Sequence, residues 1–278
     1  EGMTAEFWPV WKTFLHEYAE IIRNLPPDER TRFIVLLQGG TAGFRPQVSV
    51  ASADRDWRGT VGQLDMLLYC STLLKTSSLS VLQKRLNAQL IAGLALWDPN
   101  LADFLCDRSP AELFEPADLL LEFAGEMGWN KETNETWQTG TVNTFENRNR
   151  LHSAYLAVQG RQQEIQRRIW QAQLSVLFPV IEELRLALIG KLGSVLTVPF
   201  VTEQGIVIHD ILDLEIGHIC YQLRSIPGLD NSLSVGANGM RKLRNYLAHL
   251  DAIPKSGMEW VEHLELLREI LLSDASTY

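Results

Sequence analysis

No apolar run in this chain approaches the roughly 18 residues needed to cross a bilayer as a helix. The longest, Leu90–Trp97 and Leu174–Ile181, have the length of core segments. The first residues carry no basic stretch leading into an apolar one, so export is not expected. Cysteine is scarce. Cys70, Cys106 and Cys220 are far apart and odd in number, which argues against a disulfide framework and a CxxC metal site and leads to an expected cytoplasmic setting. Several chemical signatures are missing as well. The glycine-rich stretch Gly39-Gly40-Thr41-Ala42-Gly43 lacks the Gly-Lys-Ser/Thr that sets a lysine on phosphates, and His16-Glu17 has no second histidine four residues on. A Gly-x-Ser-x-Gly elbow is also absent. No cofactor and no metal are therefore expected.

Positive charge is in deficit too. The formal net charge is -9, which taken alone disfavours a polyanionic partner. The acidity is uneven: residues 1–149 hold 13 basic and 20 acidic side chains, whereas 150–278 hold 12 and 14. The second half is thus close to neutral and carries one small basic cluster, Arg241, Lys242 and Arg244. What is plentiful is apolar residue. At 46% of 278 positions, it suffices for one large or two medium folded domains.

The apolar residues recur mostly at helical spacing. Phe7, Trp8, Trp11, Phe14, Leu15, Tyr18, Ile21 and Ile22 predict a helix over 6–24, ended by Pro26-Pro27. A second helix is expected from Asp28 to about Gln38, then a loop or short hairpin over Thr41 to Arg58. Further helices are expected at 60–75, 78–97, 100–107 and 109–127. Residues 128–149, poor in Leu, Ile and Met, read as a linker or, given Trp129, Trp137 and Phe145, a loop packed on a neighbour. In the second half a long helix is expected from Leu151 or Arg161 to Leu192, kinked or divided at Pro179. A β-branched hairpin over 195–208 and helices at 209–225, 232–251 and 257–273 should follow. Four amphipathic helices are most economically buried as an antiparallel bundle.

Two constellations carry chemistry. The doublet His209-Asp210 has the form used by metal phosphohydrolases, but it lacks a nearby upstream histidine; an Asp that caps the following helix is favoured about four to one. The other is Arg244-Asn245-Tyr246-Leu247-Ala248-His249. In a chain with six histidines and eighteen arginines, the bare spacing arises by chance roughly once, and an Asn directly after the Arg cuts that to about a few per cent. Met240, Leu243, Leu247 and Leu250 form one stripe, which leaves Arg241, Asn245 and His249 on another face with Arg244 beside it. Histidine can take or give a proton near neutrality. Arginine stays charged and binds phosphate oxygens through a planar fork. Together they suit metal-free cleavage of RNA, with Asn245 supporting and Arg241 and Lys242 making backbone contacts. The structural alternative is a solvated face whose His249 favours the helix C-terminus electrostatically.

Residues 244–249 resemble the active-site signature of HEPN-type RNases, Arg followed after four to six residues by His, often with Asn, Asp or His next to the Arg. The resemblance covers the C-terminal 120–130 residues or so, and the first half resembles no family. It implies a helical bundle that dimerises so that two Arg/His sets share one cleft, with Arg244 and His249 catalytic. It further implies a metal-independent endoribonuclease of toxin–antitoxin, CRISPR or antiphage systems, acting on RNA, tRNA among the candidates. Some family members have lost catalysis and serve as binding modules. The insertion at 195–208 and the acidic charge depart from the pattern. The fold class expected is thus mainly α: a helical N-terminal domain over 1–127, a linker over 128–150 and a HEPN-like four-helix domain with a hairpin insertion over 151–278. A regulatory protein partner is expected on the first half, through Trp8, Trp11 and Trp57, and no membrane.

Overall fold

A computed structural model describes residues 6–35 and 56–272. The fold is mainly α-helical, with eleven α-helices and two two-stranded hairpins among the described residues. None of these helices is long and apolar enough to cross a membrane. The chain forms two compact units, Glu1–Gly62 with Asn130–His152, and Gln63–Trp129 with Ser153–Tyr278. These units do not follow the expected division near residue 128.

In the first unit α1 spans Trp8–Ile22, with Pro9 in its first turn, where a missing N–H costs nothing. The helix expected from Asp28 is not formed over its described part, 28–35. Side chains fix that segment as a loop instead: Arg30 Nε donates to the Leu25 carbonyl at 2.8 Å and the Tyr18 hydroxyl to the Thr31 carbonyl at 2.6 Å. Phe33 stands edge-on to Phe14 and Tyr18. The glycine-rich stretch at 39–43 lies outside the described residues. Of the tryptophans expected to meet a partner, Trp57 is exposed but Trp8 is buried. The linker contains a hairpin of β1 (Val142–Phe145) and β2 (Arg148–Leu151). Glu146 and Asn147 turn it with φ of 49° and 59°, the paired positive values of a tight hairpin turn.

The second unit begins with α2 (Gln63–Leu73), α3 (Val81–Ala95) and α4 (Pro99–Cys106). Ser80 and Gln83 close a capping box on α3, and Asp98 caps α4. The helix expected over 109–127 is divided into α5 (Pro110–Phe114) and α6 (Ala117–Glu126). Pro116 lies at the division and has no N–H to continue the first helix. α7 (Ser153–Val158) stops at Gly160, whose φ is 69°, and the long helix α8 runs from Gln162 to Leu192. Pro179 lies inside α8 without dividing it.

The expected hairpin insertion is present as β3 (Phe200–Val201) paired with β4 (Val207–Ile208). It is followed by a 3-10 turn at Ile211–Asp213, then α9 (Ile216–Leu223), α10 (Asn231–Ala248) and α11 (Met258–Leu272). α10 packs against α8, α9 and α11, and α11 also packs on α8. The other flank of α8 receives α3, at a crossing where a Cβ on Gly93 would meet Ala172 Cβ at 3.8 Å. That contact puts helices 63–129 into the same core as the C-terminal helices. The buried stripe of α8, including Ile165, Ile169, Leu177, Ile181, Leu184 and Leu188, is its centre.

Candidate active site

α10 is built to lie close to α11. A Cβ on Gly236 would come within 2.8 Å of Leu267 Cβ, and one on Gly239 within 3.2 Å of His263 Cβ. Met240, Leu243 and Leu247 continue the buried side of the helix. Leu250, expected in the same stripe, is instead 70% exposed. It has passed out of the helix and adopts φ 61°.

The end of α10 places His249. The Asp251 N–H reaches back to the Tyr246 carbonyl at 3.0 Å and the Leu250 N–H to the Leu247 carbonyl at 3.4 Å. This is the reciprocal bond pair of a Schellman ending, with His249 as C-cap and Leu250 in the left-handed position usually given to glycine. α8 holds the same end from beneath. Trp170 Nε1 donates to the Leu247 carbonyl at 2.9 Å, and the buried Gln173 both donates to the Ile253 carbonyl (3.1 Å) and accepts from its N–H (2.7 Å). His249 is thus exposed on a backbone pinned at both sides.

Asn245 is half-buried one turn before His249, and Arg241 one turn earlier, bonded to Asn238 Oδ1 at 3.0 Å. These three residues share a face, as their spacing of four requires. Lys242 Nζ lies 4.9 Å from the centre of the Trp260 ring, whose other neighbour is Tyr246 at 5.6 Å. Arg244 goes elsewhere. Its Nη2 donates to Glu215 at 2.7 Å, within an open groove of about 400 Å³ that is also lined by Phe178, Glu182, Arg185 and Asp213 but not by His249. Five residues turn the helix through about 500°, so Arg244 and His249 are on the order of 140° apart around the axis. One chain therefore does not bring Arg244 and His249 to a single point.

Glu215, Arg185 and the turn at Leu250 were not singled out in the sequence. Glu215 had a readable signal, an acidic residue directly before an apolar helical run, but nothing local links it to Arg244, 29 residues away.

At the competing doublet, Asp210 accepts from the Leu212 N–H at 2.9 Å and caps the 3-10 turn. Among the described residues no group of three or more His, Cys, Asp or Glu is placed to hold a metal ion. The cysteines are free thiols. Burial chiefly pushes Cys70 up to about 12, and burial followed by the charge of Asp103 pushes Cys106 up to about 11; burial likewise raises Cys220 to about 11. All three stay protonated near neutral pH and are poor nucleophiles.

Comparison with protein-family models, curated proteins and solved structures gives no match for this chain. Its chemistry is accordingly read from the side chains themselves.

Proposed function

We propose that this chain is a metal-independent endoribonuclease of HEPN type, an effector of a toxin or antiphage system, whose working site is composite and forms in a homodimer. The observation that carries this reading is the exposed His249, held as C-cap on a pinned helix end with Asn245 and Arg241 on its own face. An exposed apolar residue in a left-handed conformation, Leu250, adjoins it, and backbone strain of this kind clusters at functional sites.

In the proposed reaction His249 accepts the proton of the ribose 2′-hydroxyl. The 2′-oxygen then forms its bond to phosphorus as the bond to the 5′-oxygen breaks, leaving a 2′,3′-cyclic phosphate. The departing 5′-oxygen takes a proton from solvent water, and Arg244 neutralises charge on the phosphate throughout. A two-fold mate supplies what one chain lacks, its Arg244 for the phosphate. Asn245 orients the phosphate, and Arg241 and Lys242 hold the neighbouring backbone.

The test is incubation of the purified protein with total RNA or tRNA in the presence of EDTA. The wild type is expected to cleave and His249→Ala to be slower by about 100-fold or more, the usual contribution of a general base. Equal cleavage by both, or none by either, overturns the reading. Two observations favour a second reading, a non-catalytic interaction module. Arg244 is tied to a carboxylate in a groove that also holds Glu182 and Asp213, and the insertion exposes Val201, Ile206 and Val207. Absence of cleavage beside stable binding of a protein partner would select it.

A further inference from the structure

Glu215 is held through its backbone and through its carboxylate. Its N–H donates to His218 Nδ1 at 3.1 Å while its carbonyl accepts from the His218 N–H at 2.9 Å, which opens α9. The carboxylate receives Arg244 across the groove at 2.7 Å. The groove contains a second guanidinium, Arg185, but that one is committed: Nε goes to Glu182 at 2.9 Å, and Nη1 to the Leu212 and Leu214 carbonyls at 2.8 and 3.1 Å. Its side chain is only 16% exposed. The Arg244–Glu215 pair differs, with 31% and 58% of the two side chains open to water. Exposed pairs of this kind contribute little to stability and exchange partners readily. Arg244 is therefore the cation in this groove that a phosphate can capture.

We infer that Glu215 is a positioning and selectivity residue for Arg244. It keeps the guanidinium extended across the groove and competes with the incoming phosphate for it. Glu182 and Asp213 line the same groove and add like charge against an isolated anion. A single phosphate gains one contact and must displace a carboxylate to get it. A polynucleotide, also held at Arg241 and Lys242, has the remaining contacts already in place when it meets Arg244. The selection is for a run of phosphates over a mononucleotide. This inference rests on the RNase reading above.

Glu215→Gln separates the two attachments, because the backbone bonds to His218 stay while the charge is gone. Glu215→Ser provides a second uncharged cap, and unchanged thermal melts show that both variants fold. Binding of a short fluorescein-labelled single-stranded RNA of mixed sequence is measured by anisotropy in the His249→Ala background, which prevents cleavage. Removing the charge is expected to tighten binding about threefold at low salt, and the salt dependence should steepen by about 0.7, one further phosphate contact on a single strand. Both changes should vanish when Arg244→Ala is added, and AMP should compete with the RNA better against Glu215→Gln than against the charged parent. No gain from Glu215→Gln, or the same gain without Arg244, overturns the inference and leaves the RNase reading intact if wild-type cleavage still depends on His249. No RNA binding by any folded variant overturns both.

Discussion

Gln173 has no exposed surface, and it spends both ends of its amide on the backbone of Ile253. Sequence spacing marks position 173 as facing the core but says nothing of why a polar residue should be there. The answer is non-local: the segment after α10 leaves the helix at His249 and must bury the N–H and carbonyl of Ile253, 80 residues along the chain. An amide donates from its nitrogen and accepts at its oxygen, so one side chain can serve both groups. Gln173→Ala would strand both backbone groups, and each buried unsatisfied group costs about 1–3 kcal/mol. The expected loss is about 2–6 kcal/mol, read from denaturant midpoints at unchanged m-value. RNA cleavage is expected to fall beyond the loss of folded protein, because the clamp also fixes the turn that carries His249. A midpoint shift below about 1 kcal/mol would show that the clamp holds nothing.

At the scale of elements, the helices were the most legible part of the sequence because an apolar stripe needs only local information. α1, α3, α10 and α11 run close to their expected spans. Divisions were harder to see: Pro116 broke one expected helix while Pro179, in the middle of a far longer one, did not. A proline N–H is missing in both cases, and the surrounding packing decides whether the helix survives. The hairpin over 142–151 was missed because four-residue strands give too short an alternation, and its turn residues, Glu146 and Asn147, lack the usual glycine. The end of α10 was illegible for a related reason. A Schellman ending announces itself by glycine, and here leucine occupies the left-handed position. Leu250→Gly is expected to raise stability by about 1 kcal/mol, the order of the left-handed penalty for a residue with a Cβ, since a side chain 70% exposed gives up little packing. The check is a thermal melt alongside the cleavage assay. Destabilisation instead would mean that the exposed leucine packs in a way this fold does not display.

Assembly of the whole molecule was the least legible level. Periodicity shows that α3 and α8 each have an apolar face, but not that they meet, so helices 63–129 were assigned to a separate domain when they belong to the core of the C-terminal helices. The polar residues of the candidate site were legible as a set on one helix, whereas their unequal directions were not. Arg244 turns to the groove with Glu215, and His249 lies at the opposite quarter of the helix end. This divergence decides how activity must depend on assembly. If each working site takes Arg244 from one chain and His249 from its mate, then Arg244→Ala and His249→Ala, inactive separately, complement each other. A heterodimer of the two variants has one site lacking both groups and one site with both intact. Random pairing in a two-fold dimer puts half the molecules in that form, so mixing after reversible dissociation should restore roughly a quarter of the wild-type activity. The wild type should also lose specific activity on dilution through the range where sedimentation shows the dimer dissociating. If both groups acted within one chain, no mixture of the two variants would recover cleavage, because every chain would lack one of them.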